Sequence, residues 1–305
     1  MSWITYTNGN YVVKLNTEDG TKIRVTKEDK FEAEFPENID IKITNYCSIG
    51  CPMCHENSSR EGKHAELLNN RFIDTLRPGT ELAIGGGMVT SHPKLEMFLE
   101  ILKEKGIIAN ITIHQTELLR NGHDVQRWID KKLVKGVGIS LHTYDEKVIQ
   151  FAQRNSNVVI HLIAGYTHCS LFEELYNRNL KILILGYKHF RRGASYGIHA
   201  QNHITFQIDW LRHALKRGMF ERFNVISFDN LAVSQLGLAS ILSESTFEQF
   251  YMGDDSNFTM YIDLVNQQYA GNSTTPEEER LPLEDDIVKM FKTIKNSCKL
   301  KNYMV

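Results

Sequence analysis

Three of the five cysteines of this chain lie close together, as Cys47, Cys51 and Cys54, in a run that also holds Gly50, Pro52, Met53, His55 and Glu56. Their i, i+4, i+7 spacing would share one face of a helix, but Gly50 and Pro52 inside the run disfavour a regular helix. A loop curled around a ligand is the better expectation. Three converging thiolates are soft donors suited to zinc or to an iron-sulfur cluster, and a four-iron cluster held by three cysteines keeps one iron open to a ligand from outside the protein. Zinc, completed by His55 or a distant cysteine, is the competing chemistry, although the spacing lacks the paired Cys and His patterns of zinc modules. A disulfide framework is disfavoured by the odd cysteine count and the chain length.

The loop must be positioned by the elements around it. An apolar run at 39–44 precedes it and reads as a strand, followed by further short apolar runs at 81–85, 109–114, 136–142, 158–164 and 181–187. Between them, helical patterns are expected at 69–76, 93–105, 124–133, 145–154 and 171–179; in the second, Leu95, Phe98, Leu99 and Leu102 repeat at helical spacing and Gly106 ends the helix. Strands alternating with helices imply a parallel sheet with right-handed crossovers. Runs at 223–228 and 258–264 can extend or cap that sheet, a helix is expected at 205–216, and 270–286 reads as a loop before a last helix at 284–295. Ahead of this core, short strands at 3–7, 11–16 and 22–26, with turns at 8–10 and 18–20, read as a small antiparallel meander.

With 305 residues, 42% of them hydrophobic, the chain can bury one large core. A net charge of −2 from 35 basic and 37 acidic side chains gives no global field favouring nucleic acid or an anionic membrane. No run approaches the ~20 apolar residues that span a bilayer, and the start lacks a signal-peptide pattern. The expectation is a cytoplasmic protein without membrane attachment, in which free thiols persist.

Cys47-x-x-x-Cys51-x-x-Cys54 directly after a first strand resembles the signature of radical S-adenosylmethionine enzymes. The resemblance implies that the three cysteines hold a 4Fe-4S cluster, that S-adenosylmethionine chelates the fourth iron, and that an electron from the cluster cleaves the sulfonium to a 5'-deoxyadenosyl radical. It implies an α/β core, a partial (β/α)6 TIM-like barrel at about 38–305 that the two later strands would extend, preceded by the meander at 1–30. The family carries an aromatic residue before the last cysteine, where this chain has Met53. Its Gly-Gly-Glu-Pro turn, whose backbone receives the cofactor's amino group, corresponds to Gly85, Gly86, Gly87 and Met88. The glycines are expected against the cofactor. The glutamate is absent, and the Thr90 hydroxyl is a candidate substitute. Ser140 carries over as a ribose contact, its plain alternative being a strand serine bonded to backbone. The stretch at 250–255 and 260–263 resembles short members of the family, some encoded by phages.

Other polar residues fall at strand ends, where parallel folds place ligands. His114, His142 and His161 could contact substrate or serve as satisfied core residues. Lys188, Arg191 and Arg192 could bind a phosphate or carboxylate, or form a solvated loop. Asp229 and Asp263 could orient substrate, cap a helix or pair with a base. Cys169 and Cys298 read as isolated thiols. The expected activity is hydrogen-atom abstraction from a peptide, protein or nucleotide-like substrate, with a low-potential electron donor such as flavodoxin or ferredoxin. The alternative is a non-catalytic interaction protein that binds zinc or an iron-sulfur cluster.

Overall fold

The computed structural model describes residues 3–302 apart from Met252, with side chains described as far as Ser297, so Cys298 lies outside the described side chains. Three strands, β1 (Trp3–Asn8), β2 (Tyr11–Asn16) and β3 (Lys22–Thr26), form the expected antiparallel meander. Alternation fixes its orientation: Tyr11, Val13 and Leu15 are buried, while Val12 and Lys14 face outward. Lys22 and Arg24 lie on its inner side and pair with the buried Glu37 at 3.1 and 2.8 Å, and the Tyr11 hydroxyl donates to the same carboxylate at 2.5 Å.

The second sheet is built from β4 (Asn38–Thr44), β5 (Glu81–Gly86), β6 (Ile108–His114), β7 (Gly136–Ser140), β8 (Val158–Ile163), β9 (Lys181–Leu185), β10 (Val225–Phe228), β11 (Thr259–Asp263), β12 (Gln268–Ala270) and β13 (Leu281–Pro282). Its order is β10-β9-β8-β7-β6-β5-β4-β11-β12-β13. The strands from β10 across to β11 are all parallel, and β12 and β13 add antiparallel at the far edge. The 223–228 and 258–264 runs therefore both join the sheet, one at each side of the expected six strands. Since β10 and β13 are its edges, the sheet is open.

Helices α1 (Leu95–Glu104), α2 (Gln115–Asp130), α3 (Glu146–Arg154), α4 (Cys169–Leu175) and α5 (Arg192–Lys216) make the successive crossovers, followed by α6 (Asn230–Leu236), α7 (Glu244–Phe250) and α8 (Ile287–Asn302). The first crossover departs from expectation: 69–76 holds one 3-10 turn, Arg71–Thr75, because Pro78 and Gly79 follow immediately. Helix α2 starts nearer its strand than the 124–133 pattern suggested. His114 caps it, its ring accepting from Thr116 N–H while the Glu117 side chain accepts from His114 N–H. Helix α5 starts well before 205, its first turns carrying buried Gly193 and Gly197 in place of an apolar stripe, and it bends at Ala200. The 270–286 segment contains β13, which hydrogen-bonds to β12.

The two faces of the parallel sheet differ in kind. In β6, Ala109, Ile111 and Ile113 are buried and join the hydrophobic core, whereas Asn110, Thr112 and His114 are half-buried on the other face. In β4 the side-chain alternation places buried Ile39, Ile41 and Ile43 on one face and exposed Asp40 with buried Lys42 and Thr44 on the other. One face is a helix-covered core; the other is polar and lined with small residues such as Gly85 and Gly138. No helix among the described residues is long and apolar enough to cross a membrane.

Glu37 joins the meander to this sheet, and a folding prediction follows from its charge. Burial pushes its carboxyl pKa up, but Arg24 and Lys22 more than offset this, so the net shift is downward. Its stabilisation is present above the ordinary glutamate range and is lost as pH falls through the lowered folded value. Glu37→Gln, which removes the carboxylate that Arg24 and Lys22 share while Lys22 keeps Glu81 at 2.7 Å, should cost about 3–5 kcal/mol at neutral pH. Urea unfolding from neutral to acidic pH should show the deficit of the variant narrowing towards acid.

Candidate functional site

The cysteine loop leaves the carboxyl end of β4, and the glycine turn leaves the adjacent carboxyl end of β5. Cys47, Cys51 and Cys54 are half-buried and free. Tight turns close the loop, with Cys54 N–H donating to Cys51 O and Asn57 N–H to Cys54 O, both at 3.3 Å, and Cys47 N–H donating to Ser59 O at 2.7 Å. Met53 is buried in a small cluster with Tyr187 and Ile204, which seats the loop against α5. Burial, then the neighbouring Cys54 and Cys47, pushes the Cys51 thiol up to about 11. An apolar pocket that crowds three thiols disfavours their free thiolates, a penalty that a bound metal cation relieves.

The glycines divide by role. A Cβ at Gly85 would meet open space on the polar side of the sheet. A Cβ at Gly86, which has φ +124°, would lie 2.2 Å from Thr44 O, and one at Gly87 would lie 2.1 Å from Tyr46 O. Gly86 and Gly87 are therefore needed where the turn packs on the cysteine loop. Gly87 N–H donates to Thr44 O at 2.8 Å and Met88 N–H to Tyr46 O at 2.7 Å. The Met88 sulfur accepts from the Ser48 hydroxyl at 3.1 Å. This packing excludes a glutamate at 87. The Thr90 hydroxyl is engaged elsewhere, donating to buried Glu117 at 2.9 Å and accepting from Asn121 at 2.8 Å. Ser140 is half-buried at the end of β7, in register with His114 and His161. His161 lies over Gly138, where a Cβ would come within 2.2 Å of its ring, and burial lowers its pKa to about 4.

His114 and His142 come beside the loop. Among the described residues, donor atoms of Cys51, His114 and His142 lie within 4.8 Å of one another, whereas the three cysteines form no such group. Zn–S and Zn–N bonds of about 2.0–2.3 Å keep the donors of one zinc ion close together. The three cysteine sulfurs are thus not gathered within 4.8 Å of one another. The histidine group, though closer, has the wrong tautomer for a metal: His114 Nδ1 accepts Thr116 N–H at 3.1 Å, so the ring proton sits on Nε2, which faces His142 Nδ1 at 3.2 Å. Burial, with His114 as the lesser cause, lowers the His142 pKa to about 4, so both rings are neutral near pH 7.

Behind the loop lies a network that sequence reasoning missed. Lys42 Nζ reaches Glu56 at 3.1 Å and Asp263 at 3.0 Å, and fully buried Arg280 reaches Asp263 at 3.3 Å. His55 lies 3.3 Å from Glu56, and Arg191 donates to the Glu56 carbonyl at 3.0 Å. Burial pushes the Glu56 pKa up, but His55 and Lys42 more than offset it, leaving the carboxylate well below its usual range. A lysine inside the apolar 39–44 strand was the available signal. The basic stretch after β9 is not a solvated loop. Lys188 donates to Ser273 at 2.9 Å, and Arg191 holds a strained φ of +50° while pairing with Glu277 at 3.1 Å. Arg192 is near enough to favour the Cys51 thiolate, and its Nε and Nη2 are buried without a hydrogen-bond partner.

A cavity of about 820 Å³ opens beside this assembly. Asp40 of β4 and Thr259 of β11 line it together with Asp229 and Asn230 after β10, so the sheet curves enough for distant strands to face one space. Asp229 also caps α6, accepting from Ala232 N–H at 2.7 Å, and Asp263 lies in the ion network. Cys169, half-buried at the start of α4, stands apart from the three loop cysteines.

No family model matches the chain, and no curated protein matches it in sequence. Its fold matches crystal structures of Streptococcus suis SuiB. The complex with precursor peptide SuiA gives a TM-score of 0.60 at 13% identity, covering 95% of this chain and 87% of that one. The complex with S-adenosylmethionine gives 0.58 at 12% identity, covering 92% and 84%, and a third SuiB structure gives 0.52 at 12%, covering 88% and 81%.

The contrast between glycines is testable. Gly85→Ala should leave thermal stability nearly unchanged, whereas Gly87→Ala should cost about 1–3 kcal/mol and loosen the cysteine loop. Thermal unfolding and trypsin cleavage at Arg60 and Lys63 would read both effects.

Proposed function

We propose that this chain is a radical S-adenosylmethionine enzyme that abstracts a hydrogen atom from a peptide substrate, with the eight parallel strands forming an incomplete barrel. The observation that carries this reading is the placement of three free cysteines beside open Gly85 at the carboxyl ends of adjacent parallel strands. The fold shared with SuiB, solved with S-adenosylmethionine and with a precursor peptide, supports the cofactor and the substrate class.

The residues present fit the implied groups. Cys47, Cys51 and Cys54 supply soft donors for a 4Fe-4S cluster, open space at Gly85 admits a ligand against the backbone, and the orphaned Arg192 nitrogens suit an anionic group such as a cofactor carboxylate. When bound, the cluster and S-adenosylmethionine would supply reductive cleavage of the sulfonium and the 5'-deoxyadenosyl radical that takes the hydrogen atom. The chain holds the loop rigid through Glu56 and Lys42, keeps the histidine pair neutral beside Ser140 at the strand ends, and limits water around the reacting groups. A low-potential donor such as flavodoxin or ferredoxin would deliver the electron. The nucleotide-like alternative loses support because Lys188 and Arg191 are held by protein partners.

Reconstitution with iron and sulfide under anaerobic conditions, then S-adenosylmethionine and a strong reductant, should yield 5'-deoxyadenosine from wild type and none from Cys51→Ala. Stoichiometric zinc with no cluster under those conditions would sink the assignment.

A further inference from the structure

Every buried carboxylate of the ion network, Glu56 and Asp263 included, has a cation beside it. The cavity differs. Asp40, Asp229, Asp254 and Asp255 line it, and among the described residues none of the four makes an ion pair. Three are held by neutral donors: Asp229 by backbone N–H groups, Asp254 by the Tyr251 hydroxyl, and Asp255 by Asn230 and Asn272 at 2.7 and 3.0 Å. Neutral donors order a carboxylate without cancelling its charge.

Asp40 is the decisive residue. It lines the cavity from the middle of β4 with its side chain exposed to that space, and among the described residues its carboxylate has neither a hydrogen bond nor an ion pair. Lys188, the one cation among the described lining residues, donates to Ser273 of the same lining and faces His55, so four aspartates share a single lysine. Desolvation pushes the Asp40 pKa up, Lys188 opposes it, and Asp255, Asp229 and Glu56 add to it, while four aspartates against one lysine leave the lining net negative. Phe247 and Tyr251, stacked with ring centroids 5.0 Å apart, line the same space and offer faces that attract a cation.

We propose that this cavity receives a positively charged side chain of the substrate, a guanidinium or primary ammonium group on a peptide, with Asp40 as its principal partner and the Phe247 and Tyr251 rings beside it. This rests on the peptide-modifying reading of the neighbouring cysteine site and names the residue class that site would select. A cavity of about 820 Å³ has room for a long basic side chain with adjoining backbone. The same field repels phosphorylated substrates.

The test reads binding alone, on the full chain without iron or S-adenosylmethionine, so its failure is separable from failure of 5'-deoxyadenosine formation. The probes are acetyl-Gly-Arg-Gly-amide and its citrulline counterpart, in which a neutral urea replaces the guanidinium at nearly constant shape, titrated by calorimetry or ligand-observed NMR. The arginine peptide should bind wild type about tenfold more tightly than the citrulline peptide, and added salt should erode the difference. Asp40→Asn should abolish the preference while its thermal midpoint stays at or above that of wild type, because an unpaired charge is removed. Equal affinity for the two peptides, no detectable binding of either, or a preference that survives in Asp40→Asn overturns the proposal.

Discussion

The structure depends on how one buried carboxylate is neutralised. Glu56 sits two residues beyond the last loop cysteine, and its charge is met by Lys42 from β4, with the His55 ring 3.3 Å away and Arg191 from the start of α5 holding its carbonyl. Lys42 in turn shares Asp263 of β11 with buried Arg280. Taking such charges out of water costs several kcal/mol per ion, and only their mutual attraction and hydrogen bonds offset it. Removing any member would strand another, so the cysteine loop, two neighbouring strands and the first turn of α5 hold one arrangement together.

That arrangement explains a sheet with two unlike faces. Apolar residues of β4 and β6 pack under the helices, while the alternate positions present Asp40, Lys42, Thr112 and His114 to the concave side. Small residues such as Gly85 and Gly138 keep that side from filling with side chains. A face that is polar, concave and incompletely packed gains little from folding on its own account. Its polar groups make sense as partners for something bound, and the excess of aspartate over lysine in the cavity lining indicates the sign of that partner.

The departure from the Gly-Gly-Glu-Pro pattern also has a local cause. At Gly87 the backbone runs so close to Tyr46 O that any side chain would collide with it, and Met88 takes a hydrogen bond from Ser48. The turn braces the cysteine loop through backbone contact. Arg192 supplies unpaired donors close to Cys51 from a different element, α5, far away in sequence.

Much of the fold was legible because its signals are local. Asn-Gly and Asp-Gly turns marked the meander, apolar runs marked the parallel strands, and the cysteine spacing with Gly50 and Pro52 marked a ligand loop. Helix starts set by capping or by close packing were not legible: α2 begins where the His114 ring caps Thr116 N–H, and α5 begins on glycines that have no periodicity to read. Residue types at strand ends were visible, but not their partners. Lys188 and Arg191 read as a basic loop until the fold brought Ser273, Glu56 and Glu277 to them across long sequence separations. By itself the sequence determined the thiol donors, the parallel strands and the turn glycines, because each depends on neighbours within a few residues. Tertiary structure alone decided which charges are cancelled and which face the cavity unpaired, because a charge is set by what folding places beside it.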